Sequence, residues 1–325
     1  MNIRLYFKDL LRGVRDAIYI SVCYIFDVIR FLRFGGWRNF YAPNRRIFKN
    51  AKIYHAIEKS LSSHNFDKKR GHAASALLRD FLEASIAKGG YSETSTDLAA
   101  YKALELFDEA TGRDLVTPSL RAFFRERKVD AKINVGSVEI KDNRVPKAWA
   151  IENKSQLFSR RSVRDFSDRK VSDGTLDRCL SNAFSAPSAC NRNPWYIYKT
   201  NRREVIDRVL GYQNGNAGFG HLSQGLFVVT VDLCAYDNAA ERRQAWVDGG
   251  IFLMNLVTAI HVEGLVSCCL NWCKYPWQEH PIKSDLGIPP SREIIAMVAL
   301  GYPKREYNVC ASQRPVLATV VESIK

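Results

Sequence analysis

The run Ser159-Arg160-Arg161-Ser162-Val163-Arg164-Asp165-Phe166 sets three guanidinium groups and two hydroxyls close together in the chain. Arginine suits a phosphate because its planar fork donates paired hydrogen bonds and keeps its charge at any physiological pH. Further on stands Ala186-Pro187-Ser188-Ala189-Cys190-Asn191-Arg192-Asn193-Pro194-Trp195, a proline-braced turn of small and amide residues that leads into an aromatic strand. Taken singly, the arginine run also fits an ordinary basic segment ahead of a helix. Its meaning depends on what the rest of the chain brings to it.

Other groups with chemical potential are fewer. His55, Glu58 and Lys59 stand at i, i+3 and i+4, hence on one helix face, where they could exchange protons or simply meet solvent. His221 lies in a Gly-rich stretch with Asn214, Asn216 and Gly220, and a loop histidine of no chemical role is the plainer reading. Eight cysteines, with Cys268, Cys269 and Cys273 close together, show no CxxC or paired His/Cys spacing. They read as reduced thiols packed as small hydrophobes, and no metal site is expected.

The elements that must position these residues follow from pattern. At 325 residues, 46% hydrophobic, the chain is long for one domain, comfortable for two and able to build a real core. A formal charge of +14 suits anionic partners such as nucleic acid, acidic headgroups or phosphorylated small molecules. Up to residue 52 there are eleven Lys/Arg against three Asp/Glu. From Asn2 to Phe34 the pattern is helical, and Gly35-Gly36 stops it. Such a helix, greasy and basic-rimmed, can lie in a membrane interface or pack against its own domain or a second subunit. The apolar run from Ala17 to Phe26 falls short of the ~20 residues a spanning helix needs and has no small-residue cleavage site after it, so neither a transmembrane helix nor a signal peptide is expected.

Helical spacing continues over Ile53 to Leu61, Ala73 to Ala87 and Asp97 to Ala110, with breaks at Gly89-Gly90 and Thr111-Gly112. Residues 129–150 are polar and irregular and read as a linker. This gives a helical extension and linker over 1–150 and a second domain over 151–325. In the latter, short β-branched or aromatic strands are expected at Trp195–Lys199, Leu226–Leu233, Val266–Leu270 and Ile294–Leu300, with helices at Ser172–Phe184, Arg203–Leu210 and Gln244–Val262. No Gly-rich dinucleotide turn follows any strand, which disfavours a Rossmann domain.

The two opening runs, with Gly264-Leu265-Val266-Ser267-Cys268-Cys269-Leu270-Asn271, Leu286-Gly287-Ile288-Pro289, Ala299-Leu300-Gly301-Tyr302-Pro303 and Arg314, come in the order in which the FMN-dependent nitroreductase family carries its flavin-binding sequences. Over about residues 155–325 the chain resembles that family. The resemblance implies an α+β nitroreductase-like fold, a central mainly antiparallel sheet flanked by helices and preceded here by the helical extension. It implies that Arg160 and Ser162, with Arg161 beside them, bind the phosphate or ribityl end of FMN and that Arg164 reaches the pyrimidine side of the ring. Pro187, Ser188 and Asn191 would come from the neighbouring subunit of a homodimer. Cys269, Leu270 and Asn271 would form the loop beneath the ring, with a backbone N–H near Asn271 directed at N5, and Arg314 would be a late phosphate-binding arginine. Two positions depart from the family: Ser312, where a second cation is common, and Trp272, where a glycine is common and where a bulky ring could narrow the substrate slot or shift the loop. The extension is loosely similar to that of nitroreductase-like proteins associated with polysaccharide biosynthesis, through its His…Glu-Lys run.

The activity this implies is transfer of electrons from NADH or NADPH through FMN to a small-molecule acceptor, by ping-pong turnover in one slot and in the cytoplasm, with no obligatory catalytic side chain. Two rivals differ in class. One is a flavoprotein acting on a dedicated substrate without nicotinamide. The other is an accessory protein of polysaccharide assembly that touches the membrane through residues 1–50. Nucleic-acid binding has no module to support it.

Overall fold

The computed structural model of the chain describes residues 3–37, 42–62, 71–88, 95–125, 135–137, 158–310, 312 and 314–324. The N-terminal half is helical: α1 (Ile3–Phe34), α2 (Pro43–Leu61), α3 (His72–Ala87), α4 (Ser95–Thr111) and α5 (Pro118–Arg125). Ile57, Leu78, Leu82, Leu104, Phe107 and Leu120 interlock in a core of their own. At one margin of this helical unit the buried Arg46 donates to Asp97 Oδ2 at 2.8 Å, and Asn50 Nδ2 donates to Asp97 Oδ1 at 2.5 Å. That buried charge explains why α2 starts at Pro43 and not at Ile53: its first turns face the interior with polar groups and hide the apolar rhythm. The expected break at Gly89-Gly90, most of the expected linker and the expected boundary at Ile151 lie outside the described residues.

The C-terminal half holds four strands, β1 (Trp195–Thr200), β2 (Gly225–Asp232), β3 (Val266–Asn271) and β4 (Arg292–Gly301), in the order β1-β2-β4-β3 with every neighbouring pair antiparallel. Its described helices are α6 (Asp173–Ala183), α7 (Arg203–Leu210), α8 (Gln244–Val262) and α9 (Pro276–Leu286). Strand side chains alternate between faces. Phe227, Val229, Val231, Val298 and Leu300 therefore pack on one side, under Phe252, Leu256 and Ile260 of α8 and Leu176 of α6. Leu226, Val228, Met297 and Ala299 pack on the other, with Ile206 and Val209 of α7 and Ile282 of α9. Every residue of β2 is buried, because helices cover both faces and strands flank both edges. The fold is thus α+β, a helix–sheet–helix sandwich with an antiparallel centre preceded by helices.

Local chemistry sets the element ends. The Ser172 hydroxyl accepts from Thr175 N and caps α6. Gly36 ends the α1 exit turn with its N–H donating to Tyr236 O at 2.7 Å, and a Cβ there would run into the Cys234 carbonyl. Gly249 lets α8 approach β4, since a Cβ would meet Ile295 Cγ1 at 2.6 Å. One described helix, α8, is long and apolar enough by length and composition to cross a membrane, but its inward face is the core of this half. The α9 helix has no counterpart among the expected elements. It opens at Pro276, carries Pro281 inside and has a weak apolar rhythm.

Candidate active site

Two buried side chains aim the first arginine run. Val163 and Phe166 are fully sunk in the core, Val163 N donates to Ser267 O at 3.0 Å, and the backbone bridges at Ser162 with Ser267 and at Phe166 with Pro303. The segment is therefore riveted along the free edge of β3, and Arg160, Ser162 and Arg164 are left at least partly exposed along it. Arg160 acts electrostatically on Cys268 and Cys269, and Arg164 on Cys268. Arg164 Nη1 also donates to Cys310 Sγ at 3.7 Å and lies 5.9 Å from the Phe219 ring centre. Burial pushes the Cys268 thiol up despite these cations, so it remains protonated at neutral pH.

The backbone of β3 alternates between its partner β4 and the free edge. Ser267 O accepts from Val163 N, and Asn271 O accepts from Gln213 Nε2 at 3.0 Å, so both residues turn their backbone groups away from β4. By the same alternation the N–H groups of Cys269 and Asn271 lie on that edge. Leu270 sends its side chain into the core, while Cys269 and Asn271 are exposed. Asn271 Nδ2 donates to Cys273 Sγ at 3.0 Å.

Between the arginine run and the end of α8 lies a cleft of about 220 Å³ walled by Ser159, Arg160, Val163, His261, Ser267 and Tyr307. A larger, open cleft of about 410 Å³ adjoins the Gly-rich loop and is lined by Gln213, Asn214, Asn216 and His221. In the second cleft His221 is held by its backbone, with its carbonyl accepting from Arg203 Nη1 at 3.0 Å. Gln213, which the sequence did not single out, is the residue that ties this loop to β3, and the amide-rich stretch from Gln213 to Asn216 was its only signal.

The second motif stands elsewhere. Pro187 enters a turn in which Cys190, Asn191 and Asn193 adopt left-handed backbone at φ 53, 51 and 48. Ser188 Oγ accepts from Asn193 N at 2.9 Å and closes it. The turn is tied to the first turns of α8 through Asp248. This carboxylate accepts from Ala189 N at 3.1 Å, Tyr236 Oη at 2.9 Å and Gln244 Nε2 at 3.0 Å, and its own carbonyl accepts from Trp195 Nε1. Burial and the Asp248 charge push the Tyr236 hydroxyl far above the phenol range, which makes it a fixed donor. The Arg160 run touches the other end of α8, where Ser159 Oγ and His261 Nε2 are 3.1 Å apart. From Asp248 to His261 the helix rises about 20 Å. One chain therefore brings Arg160, Arg161, Ser162, Arg164, Cys269 and Asn271 together and leaves Pro187, Ser188 and Asn191 apart from them. Arg314 is exposed in the C-terminal tail, whose earlier residues Tyr307, Val309 and Cys310 reach the arginine run.

The Trp272 ring is buried, and Nε1 donates to Glu279 Oε1 at 3.0 Å, on the core side of the loop. Ser312 is exposed with a left-handed φ of 53. Of the His55 trio, His55 and Glu58 form a structural clamp. His55 Nδ1 meets Glu58 Oε2 at 3.1 Å, and Glu58 Oε1 accepts from Gly136 N at 3.2 Å.

The described residues thus place a cationic cleft on the free edge of an antiparallel sheet, with backbone donors beside it. The model of the nitroreductase family matches residues 157–220 and 212–302. A protein of Archaeoglobus fulgidus described as an NADH dehydrogenase/NAD(P)H nitroreductase is 30% identical over 154 residues, 46% of this chain and 84% of that protein. An NADH dehydrogenase of Thermus thermophilus is 25% identical over 189 residues, 48% of this chain and 89% of its own. Among solved structures, a nitroreductase in complex with FMN from Desulfovibrio desulfuricans is 22% identical, with a TM-score of 0.45 over 56% of this chain and 99% of its own. This chain belongs to the nitroreductase family, a family of oxidoreductases, and its C-terminal half carries the membership.

Proposed function

We propose that the protein is a homodimeric FMN-dependent oxidoreductase that moves electrons from NADH or NADPH to a small-molecule acceptor. The observation that carries the reading is the convergence of Arg160, Ser162 and Arg164 on the free edge of β3, where the N–H groups of Cys269 and Asn271 lie. Those residues fit FMN. Arg160, Arg161 and Ser162 would hold the phosphate end, Arg164 would set a cation near the ring, and the Asn271 N–H would supply a backbone donor to it. Arg314 adds a later cation from the tail. Bound FMN supplies hydride uptake and delivery. The chain's part is to bind, orient and neutralise, and donor and acceptor occupy one slot in turn, which gives ping-pong turnover.

Two facts support a shared site. The 220 Å³ cleft is smaller than the ~300 Å³ at which small-molecule pockets begin. The Pro187–Asn191 turn lies about 20 Å away along α8. Trp246, Val247, Ile251 and Met254 leave an apolar face of α8 exposed. Two copies joined on that face with α8 helices antiparallel would bring each turn to the other copy's arginine run. Free cysteines throughout the described residues suit the reducing cytoplasm, where the nicotinamides are found.

Purified protein should be yellow and should bleach under NADH or NADPH without oxygen. A colourless protein that takes up no added FMN ends the proposal, and one that keeps FMN but is reduced by neither nicotinamide acts on a dedicated substrate. The likeness to polysaccharide-biosynthesis proteins rests on the His55…Glu58-Lys59 run, of which His55 and Glu58 here form a clamp.

A further inference from the structure

Helix α1 is mounted inside out. At 100° per residue its Lys, Arg and Asp residues fall in an arc about 140° wide, and the arc of about 220° that remains is apolar but for Ser21. A surface helix of a globular protein turns its apolar side to the core. Here the charged side meets the body through Arg30, while Arg12, Arg15, Asp27 and Arg33 stay exposed. Arg30 is only 8% exposed and pairs with Glu293 at 2.5 Å and Glu279 at 3.6 Å, and it donates to the Pro290 and Arg292 carbonyls. Tyr19, on the same side, packs against Tyr275 and Trp277. An apolar stripe faces outward from Leu11 to Leu32: Leu11 61%, Val14 53%, Ile18 57%, Val22 45%, Ile25 60%, Ile29 55% and Leu32 51% exposed.

We infer that this outward face of α1 lies on the surface of an anionic lipid bilayer, with the protein body above it. Three observations favour a bilayer over a second copy of the chain. The apolar arc covers more than half of the helix circumference, and Tyr24 and Val28 beside the stripe are 67% and 57% exposed. A two-stranded coiled-coil seam occupies a narrower a/d stripe and would leave these in water, whereas the plane of a bilayer covers a wide face at once. The sequence of the first helical turns is basic, with Arg4, Lys8, Arg12 and Arg15 against Asp9 and Asp16, and the whole chain carries +14. That is the sign that anionic headgroups attract. Half-exposed aromatic rings flank the helix, with Trp37 at 42%, Tyr275 at 42% and Trp277 at 49%, the residue types that settle at headgroup depth. The helix lies on the membrane and does not cross it, because Arg30 on its charged side is buried in the protein body and the rest of that side carries charge.

The test uses full-length protein and sedimentation with extruded vesicles of phosphatidylcholine alone or mixed equally with phosphatidylglycerol. The wild type should pellet with the mixed vesicles, and binding should fall at least tenfold on pure phosphatidylcholine and again when salt rises from about 0.1 M to 0.5 M. The triple variant Ile18→Gln, Ile25→Gln, Ile29→Gln changes only outward positions, so it should lose vesicle binding at least tenfold while keeping its thermal midpoint and whatever flavin the wild type holds. Wild type left in the supernatant with both vesicles overturns the inference, and so does a triple variant that pellets like the wild type. Equal binding to both lipid mixtures overturns the anionic preference. If light scattering shows the wild type losing an assembly state in the triple variant without any vesicle binding, the face belongs to a second copy and the inference fails.

Discussion

The most direct test of the cleft is Arg160→Ala, read with two ligands that differ by one phosphate. Arg160 stands at the mouth of a cleft of about 220 Å³, partly buried beside Ser162 and within electrostatic reach of Cys268 and Cys269. A hydrogen bond to a charged partner contributes about 1.5–3 kcal/mol. Because the guanidinium is not fully enclosed, the lower end applies, and about 1.5 kcal/mol corresponds to roughly a tenfold rise in dissociation constant. The side chain anchors no core packing, since Val163 and Phe166 do that, so global stability should shift by no more than about 0.5 kcal/mol.

Protein stripped of flavin is titrated with FMN and, separately, with riboflavin, following quenching of flavin fluorescence. FMN should bind about tenfold more weakly to the variant, and riboflavin, which has no phosphate, should bind equally to both proteins. High salt should shrink the FMN difference by screening it. An equal loss for both ligands means that Arg160 shapes the slot and does not hold phosphate. No loss for either means that the phosphate end lies somewhere else.

Removing the Asp248 carboxylate as Asp248→Ala strands the Tyr236 hydroxyl and the Ala189 N–H and should lower stability by about 3 kcal/mol or more, with flavin release before global unfolding. Coincident urea transitions by flavin and tryptophan fluorescence would contradict this. Burial alone would raise the Asp237 carboxyl, but the hydrogen bond and charge of Lys52, with Asn238 and Lys49, outweigh it and hold it at about 2. Its folded value lies below the unfolded one, so the pair stabilises fully above about pH 4 and loses its effect as pH falls through about 2. Asp237→Asn should therefore cost about 1 kcal/mol at pH 7, after allowance for solvent screening, with the gap to wild type closing in acid. Urea midpoints at both ends of that range check it, and a gap independent of pH rejects it. Trp272→Phe removes the donor to Glu279 Oε1 and should cost about 1.5–3 kcal/mol in thermal stability, lowering turnover more than FMN affinity as the loop after β3 loosens. Unchanged melting and turnover would show that the indole N–H positions nothing.

The catalytic half was legible because its signals are local. Phe227, Val229 and Val231 alternate with residues of the opposite face, and the strand expected at Leu226–Leu233 lies at Gly225–Asp232. The arginine run could be read because phosphate chemistry concentrates in few residues. Asp248 could not, since a single acid in an apolar helix says nothing until Ala189, Tyr236 and Gln244 are folded around it. Helix α9 was hidden for a similar reason: Pro276 and Pro281 read as breakers, yet one opens the helix and the other sits within it. The orientation of α1 was also beyond the sequence. Its pattern was plain, but which side met the body was decided by Glu279 and Glu293, far away in the chain and paired to Arg30.

That pairing explains how a helix can be held by its polar side. An ion pair in water contributes little, but Arg30, Glu279, Glu293 and Lys283 are all nearly buried, so loss of one partner would leave a charge without compensation. Burial, with Glu279 close by, pushes the Glu293 carboxyl above its ordinary range even with Arg30 against it. The same Glu279 takes the Trp272 indole N–H, one residue beyond the β3 edge at Asn271. The contact that seats α1 and the contact that seats the loop beside the proposed flavin site thus share one carboxylate. The two halves of the chain meet at this charged network, whose members are each costly to remove, and at an apolar contact in which Phe48, with Phe31, Phe34 and Ile47, packs into the core of the C-terminal half. Phe31 and Phe34 are the apolar residues of α1 that join that contact, and the stripe from Leu11 to Leu32 is left facing outward.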